Sequence, residues 1–75
     1  MNTVALFCIT YPKPPKGFNG IRYYEKKPLG TYQTANDTLE EVEDELRTRA
    51  REFPGVNWFS VENETSGQWV AGTLP

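Results

Sequence analysis

The first apolar segment of the chain, residues 3–11, is hydrophobic at both alternating sets of positions. Val4 and Leu6 fall on one face of an extended strand, and Ala5 and Phe7 fall on the other. A strand that is apolar on both faces is typical of the centre of a sheet. We therefore predict a central strand over residues 3–11.

Proline and glycine divide the following segment into a loop and two strands. Prolines between residues 12 and 15 remove backbone donors and favour a surface loop over 12–20. Residues 27–30 have proline second and glycine fourth, an arrangement that favours a type I turn. The sequence therefore predicts a hairpin of two strands, at 21–26 and 31–35.

A helix is predicted from Thr38 to the breaker Pro54-Gly55. Thr38 and Glu41 have the spacing of a capping box. One apolar stripe at helical spacing predicts the face that packs on the sheet: Leu39, Val42, Leu46, Ala50 and Phe53. Acidic residues early and arginines late complement the helix dipole and predict two ion pairs, Glu43–Arg47 and Glu45–Arg49.

The last segment predicts a second hairpin, with strands at 56–62 and 68–73 joined by a polar turn. The elements then follow the order β-β-β-α-β-β. We predict an α+β fold of two layers, in which one helix packs on a four- to five-stranded, mostly antiparallel sheet. A chain of 75 residues has room for one core, so we expect a single domain over 1–75.

The charges are divided unevenly along the chain. Residues 1–35 carry a balance of +4 and the remainder carries −6, although the net charge is only −2. This division predicts a basic side and an acidic side on the folded surface, which bears on partners rather than on the fold.

The residue types of most catalytic sites are lacking. The sequence has no histidine, and its one cysteine, Cys8, lies within the predicted central strand. A lone thiol without imidazole falls short of the four ligands of a structural zinc, and it has no evident base to activate it. We therefore expect no enzyme activity, no metal and no cofactor. The longest apolar run, residues 4–9, is much shorter than the roughly 20 residues of a membrane span, so we expect a cytoplasmic protein without membrane contact.

The leading hypothesis is a non-enzymatic module that binds a larger protein and acts as a small regulator or inhibitor. Its size and charge suggest a phage or mobile-element protein, whose location is the host cytosol. A negative strip along the helix is one candidate contact surface: Glu40, Glu41, Asp44 and Glu45.

Aromatic residues of the last hairpin are the second candidate contact surface: Trp58, Phe59 and Trp69. Strand alternation places Trp58 and Phe59 on opposite faces, so one of them points away from the helix. Tryptophan and tyrosine are frequent in binding hot spots, but they also enlarge the thin cores of small domains.

Nucleic-acid binding is the alternative hypothesis, because cations that neutralise phosphates alternate with rings that stack on bases. The candidate residues lie between positions 11 and 27: Lys13, Lys16, Arg22, Tyr23, Tyr24, Lys26 and Lys27. A further alternative is a self-associating subunit, a homodimer that pairs through an exposed edge strand.

Overall fold

The computed structural model describes residues 2–74, and its strands form one antiparallel sheet of four strands in the order β2-β1-β3-β4. One helix packs against this sheet, which confirms the predicted α+β arrangement of two layers. Met1 and Pro75, at the ends of the predicted domain, lie outside the described residues. The elements along the chain are β1 (Asn2–Thr10), β2 (Glu25–Thr34), α1 (Leu39–Ala50), β3 (Trp58–Asn63) and β4 (Trp69–Thr73).

Strand β1 occupies the interior of the sheet, as its two apolar faces predicted, and it pairs with β2 on one side and with β3 on the other. Val4 and Leu6 face the helix and are almost completely buried. Ala5 and Ile9 face the other way, yet both are also buried. The strand therefore contributes apolar surface to both sides of the sheet.

The β2 segment differs from the prediction, because residues 25–34 form one continuous strand instead of a hairpin. Leu6 pairs with Gly30 and Phe7 pairs with Pro28, so that Leu29 is accommodated in a bulge. The proline and glycine spacing is a local turn signal, and here the long-range pairing with β1 overrides it. Pro28 is tolerated because β2 is an edge strand, which needs only one row of backbone hydrogen bonds. The element order is consequently β-β-α-β-β.

Helix α1 begins where the capping signal predicts, with Thr38 as its N-cap. The Glu41 amide donates to Thr38 Oγ1 at 3.2 Å. The Glu41 carboxylate accepts from the Thr38 hydroxyl at 2.7 Å, whereas a full capping box would direct it to the Thr38 amide. Beyond Ala50 the chain continues in tight turns, and the Phe53 amide donates to the Ala50 carbonyl at 3.1 Å. The helix thus ends four residues before Pro54, the residue at which the sequence predicted its end.

The core lies between the helix and one face of the sheet. Val42, Leu46 and Ala50 are the buried residues of α1. They pack against four buried side chains of β1 and β3: Val4, Leu6, Phe59 and Val61. Three of the five residues of the predicted stripe therefore form the packing face of α1, and Phe53, which follows the helix, packs against the same core.

Polar contacts fix the helix to the end of β2. The half-buried carboxylate of Glu45 accepts from Thr34 Oγ1 at 2.6 Å and from Asn36 Nδ2 at 2.8 Å. Arg49, the predicted partner of Glu45, instead lies over the Tyr32 ring, 4.4 Å from its centroid. The other predicted pair, Glu43–Arg47, is confirmed at 3.5 Å. None of the helical structure within residues 2–74 is long and apolar enough to cross a membrane.

Candidate binding site

The face of the sheet opposite α1 is left without a covering helix, and we call it the open face. Phe59 and Val61 of β3 point into the core, so Ser60 and Glu62 between and after them point to the open face. Cross-strand pairing brings Ala71 beside Ser60 and Trp69 beside Glu62. Side chains from three different strands therefore meet on this surface: Ile9, Ser60, Glu62, Trp69 and Ala71.

The loop between β1 and β2, residues 11–24, folds against one end of the open face. Tyr11 packs edge-on against Trp58, with 5.0 Å between ring centroids. The guanidinium of Arg22 lies 5.6 Å from the Tyr11 ring centroid, a cation–π arrangement. These contacts hold the loop against the sheet through aromatic rings.

A pocket of about 360 Å³ lies between this loop and Trp69. Its floor is made of small and aliphatic residues of the sheet, and its rim is aromatic and charged. We call it the open-face pocket. It is lined by Ile9, Tyr11, Arg22, Tyr24, Lys26, Ser60, Glu62, Trp69 and Ala71. Its volume lies at the low end of the roughly 300–1,000 Å³ of ligand pockets, enough for one side chain or one small planar molecule.

Two of the three charges in the open-face pocket neutralise each other. Lys26 forms a salt bridge with Glu62, and its ammonium also lies 4.6 Å from the Phe7 ring centroid. Arg22 forms no ion pair with any carboxylate of residues 2–74. The pocket therefore presents a net charge of about +1, located at Arg22.

Ser60 supplies an unusual polar group at the floor of the pocket. The residue is only 3% exposed, and its hydroxyl has no hydrogen-bond partner among the described residues. Buried hydroxyls are almost always paired, because an unpaired one loses its bonds to water without replacement. The Ser60 oxygen is itself buried, so it lies at the floor of the pocket as an unsatisfied group and not as an exposed contact.

The three aromatic residues that the sequence predicted as contacts do not lie on the same face of the sheet. Trp69 is 65% exposed and Trp58 is 39% exposed, both on the open face. Phe59 is completely buried against the helix and belongs to the core. A partner that docks on this structure therefore meets the two tryptophans and does not reach Phe59.

The basic, tyrosine-rich segment contributes three of its predicted residues to the pocket: Arg22, Tyr24 and Lys26. The others lie outside it, and Lys13, Lys16 and Lys27 are exposed. Tyr23 donates its hydroxyl to Glu25 Oε2 at 2.7 Å. This hydrogen bond, with slight desolvation and the charge of Glu25, raises the pKa of the Tyr23 phenol above its ordinary value. Trp69 of the predicted aromatic surface and three residues of the predicted basic segment thus line the same pocket.

The acidic helix residues lie on the opposite layer of the molecule, because α1 covers the other face of the sheet. Glu40, Glu41 and Asp44 are exposed, but Glu41 is engaged by the helix cap and Asp44 pairs with Arg47 at 3.1 Å. Glu45 is held by the contacts to β2 described above. The acidic strip is therefore partly used in holding the fold.

Sequence reasoning missed several residues of the pocket: Ile9, Ser60, Glu62 and Ala71. Alternation along 58–62 was a usable signal, since it places Trp58, Ser60 and Glu62 on one face. Nothing in the sequence shows that the 11–24 loop would meet that face.

Side chains suited to metal binding do not converge in the part of the chain that is described. The Cys8 thiol is buried in β1, as predicted for a core thiol. Within residues 2–74, no three side chains of the metal-binding types stand together as a possible metal site.

Comparison with known proteins gives no family for this chain. No protein-family model matches it, and searches of the curated proteins and of the solved structures returned no significant match.

The unpaired state of Ser60 can be tested against Thr34, a second buried hydroxyl. Thr34 donates to Glu45 and accepts from the Asn36 amide at 3.1 Å. Thr34→Val should lower the free energy of unfolding by about 1–3 kcal/mol, because it removes two hydrogen bonds between Thr34 and its half-buried partners. Ser60→Ala should change it by less than about 0.5 kcal/mol, since no bond is lost. Urea denaturation measures both, and an equal loss for the two variants would mean that Ser60 has a partner in solution.

Proposed function

We propose that this protein is a non-enzymatic module that binds a protein partner through its open face and regulates or inhibits that partner by occupying its surface. One observation carries the proposal. Trp69 is 65% exposed and stands at a pocket whose rim also holds Tyr24 and Arg22.

These residue types are the ones that dominate binding energy in protein interfaces. Tryptophan, tyrosine and arginine are enriched in hot spots, which cluster around pockets that exclude water once the partner is bound. Burying an exposed large apolar side chain contributes about 1.5–3 kcal/mol. Trp69 and Tyr24, both more than half exposed, therefore have most of that stabilisation still to gain from a partner.

The charge distribution favours a definite orientation of the partner. Lys13 and Lys16 are exposed in the 11–24 loop, which folds against the open face, whereas Glu40 and Asp44 lie on the helix layer. A partner with an acidic surface is steered toward the open face and repelled from the helix. Salt above physiological strength should weaken this steering, because it screens exposed charges.

The absence of catalysis remains part of the proposal and rests on residue chemistry. The sequence has no histidine, and its one thiol is buried in the core. A nucleophile would need an adjacent base to be activated. The pocket contains one hydroxyl of a serine, Ser60. The possible bases in the pocket are Lys26 and Glu62, and these two side chains are paired with each other in a salt bridge.

Affinity purification from the native source tests the role of Trp69 quantitatively. Trp69→Ala should weaken capture of the partner by about 30-fold or more, which corresponds to the roughly 2 kcal/mol of a hot-spot residue. Phe18→Ala is the matched control, since Phe18 is an exposed ring of the same protein that does not line the pocket. Undiminished capture by Trp69→Ala, combined with loss in Glu40→Lys/Asp44→Lys, would move the contact surface to the helix.

Single-stranded nucleic acid is a second candidate, favoured by the meeting of Trp69 and Tyr24 with two cations in one pocket. Bases stack on exposed aromatic rings while Arg or Lys neutralises phosphates. The salt bridge between Lys26 and Glu62 weighs against it, because it leaves Arg22 as the unpaired cation of the pocket.

Titration with oligothymidylate at about 50 and 200 mM salt decides this second candidate. If nucleic acid is the ligand, Arg22→Ala should flatten the dependence of log affinity on log salt by about 0.7, the value for one single-strand phosphate contact. Arg51→Ala is the control, because Arg51 is an exposed arginine at the far end of the helix. Equal slopes for wild type and Arg22→Ala would remove nucleic acid from the pocket.

A further inference from the structure

The two edges of the sheet differ in how they resist pairing with another strand. Strand β2 carries Lys26, Lys27 and Pro28 and is interrupted by the bulge opposite Leu6 and Phe7. Lysine, proline and bulges are the devices by which natural proteins protect an edge strand. The β2 edge is therefore a poor template for a further strand.

Strand β4, at the other edge, has none of these devices. Its sequence over Trp69–Thr73 contains neither a charged residue nor a proline, and its register with β3 is unbroken. It hydrogen-bonds to β3 on one side, and within residues 2–74 no strand pairs with its other side. An unpaired row of backbone donors and acceptors of this kind accepts an added strand.

The unprotected edge lies directly beside the open-face pocket. Trp69 and Ala71, the alternate residues of β4 that point to the open face, both line the pocket. A strand added to β4 would lie about 4.8 Å away, and every second side chain of it would point to the same face. Main-chain pairing and side-chain insertion can therefore take place together, which is the mode of recognition called strand addition.

We propose that an extended segment of the protein partner pairs with β4 as a fifth strand, inserts an apolar side chain into the open-face pocket and places a carboxylate beside Arg22. This inference rests on the proposed function and specifies its partner. The net charge of about +1 in the pocket, located at Arg22, matches one carboxylate.

Two other occupants fit these observations less well. Nucleic acid has no strand-forming backbone and leaves the β4 edge unused. A second copy of this chain, paired through its own β4, would bring a strand without any acidic residue. Arg22 would then remain without a counter-charge.

Selection from a displayed library of random dodecapeptides tests the proposal, with counter-selection on Trp69→Ala and Arg22→Ala. Both substituted residues are exposed, so both variants should fold. We expect peptides enriched in β-branched residues that carry an Asp or Glu next to a large apolar residue. The most enriched peptide, made synthetically, should bind each variant at least about tenfold more weakly than wild type, because a hot-spot contact or the charge pair is lost.

Backbone methylation of that peptide separates strand addition from simple docking. Successive amides of a strand point to opposite sides, so alternate nitrogens form two sets. Methylating one set should abolish binding and methylating the other set should leave it unchanged. Amide shifts in nitrogen-15 spectra of the protein should concentrate at residues 69–73 and at the pocket, and they should spare the part of the β2 edge beyond the pocket, residues 27–34.

Several results would overturn the proposal. The first is that selection enriches no peptide that prefers the wild type over the two variants, and the second is that the two methylated peptides bind equally. The third is that oligothymidylate shifts the amides of the pocket while the peptide does not. The fourth is that the protein forms a homodimer that Trp69→Ala dissociates. Equal binding of the methylated forms, while capture of the native partner still depends on Trp69, would reject strand addition and leave the proposed function in place. If Trp69→Ala captures the native partner as well as the wild type does, the proposed function itself is rejected.

Discussion

A sheet has two faces, and residues 2–74 contain a single helix, of 12 residues, with which to cover them. On the helix face, Leu6, Leu46 and Phe59 are completely removed from solvent, and this layer supplies the core. A domain of this size buries only about 60% of the surface of its unfolded chain, so little apolar surface can be spared from that layer. The other face of the sheet is consequently covered by loop residues and not by a helix.

The 11–24 loop provides part of that cover. Tyr11 packs on Trp58, and Ile9 is buried although it lies on the side away from the helix. The loop does not extend over the whole face, and the pocket lies where its cover ends, between Arg22 and Trp69. The candidate site and its exposed aromatic surface are therefore a consequence of the incomplete second layer.

The elements that the sequence predicted well are those governed by local or periodic signals: the cap at Thr38, the apolar stripe of α1 and the interior position of β1. The β2 strand was predicted wrongly, because its Pro28 and Gly30 imitate a turn while the deciding pairing with β1 is distant in sequence. For the site, alternation showed that Trp58 and Phe59 face opposite ways but not which one faces the helix. Pairing across strands, such as Lys26 with Glu62, joins residues 36 positions apart and leaves no local trace.

The central claim is that the open face is uncovered in solution and exposes Trp69. Trp58→Phe keeps a ring against Tyr11 and leaves Trp69 as the single tryptophan, so its fluorescence reports on this position alone. Acrylamide should quench that emission nearly as efficiently as it quenches free tryptophan amide, in keeping with the 65% exposure of the side chain. Emission that is strongly shielded from acrylamide in the monomer would show that the face is covered and would contradict the account.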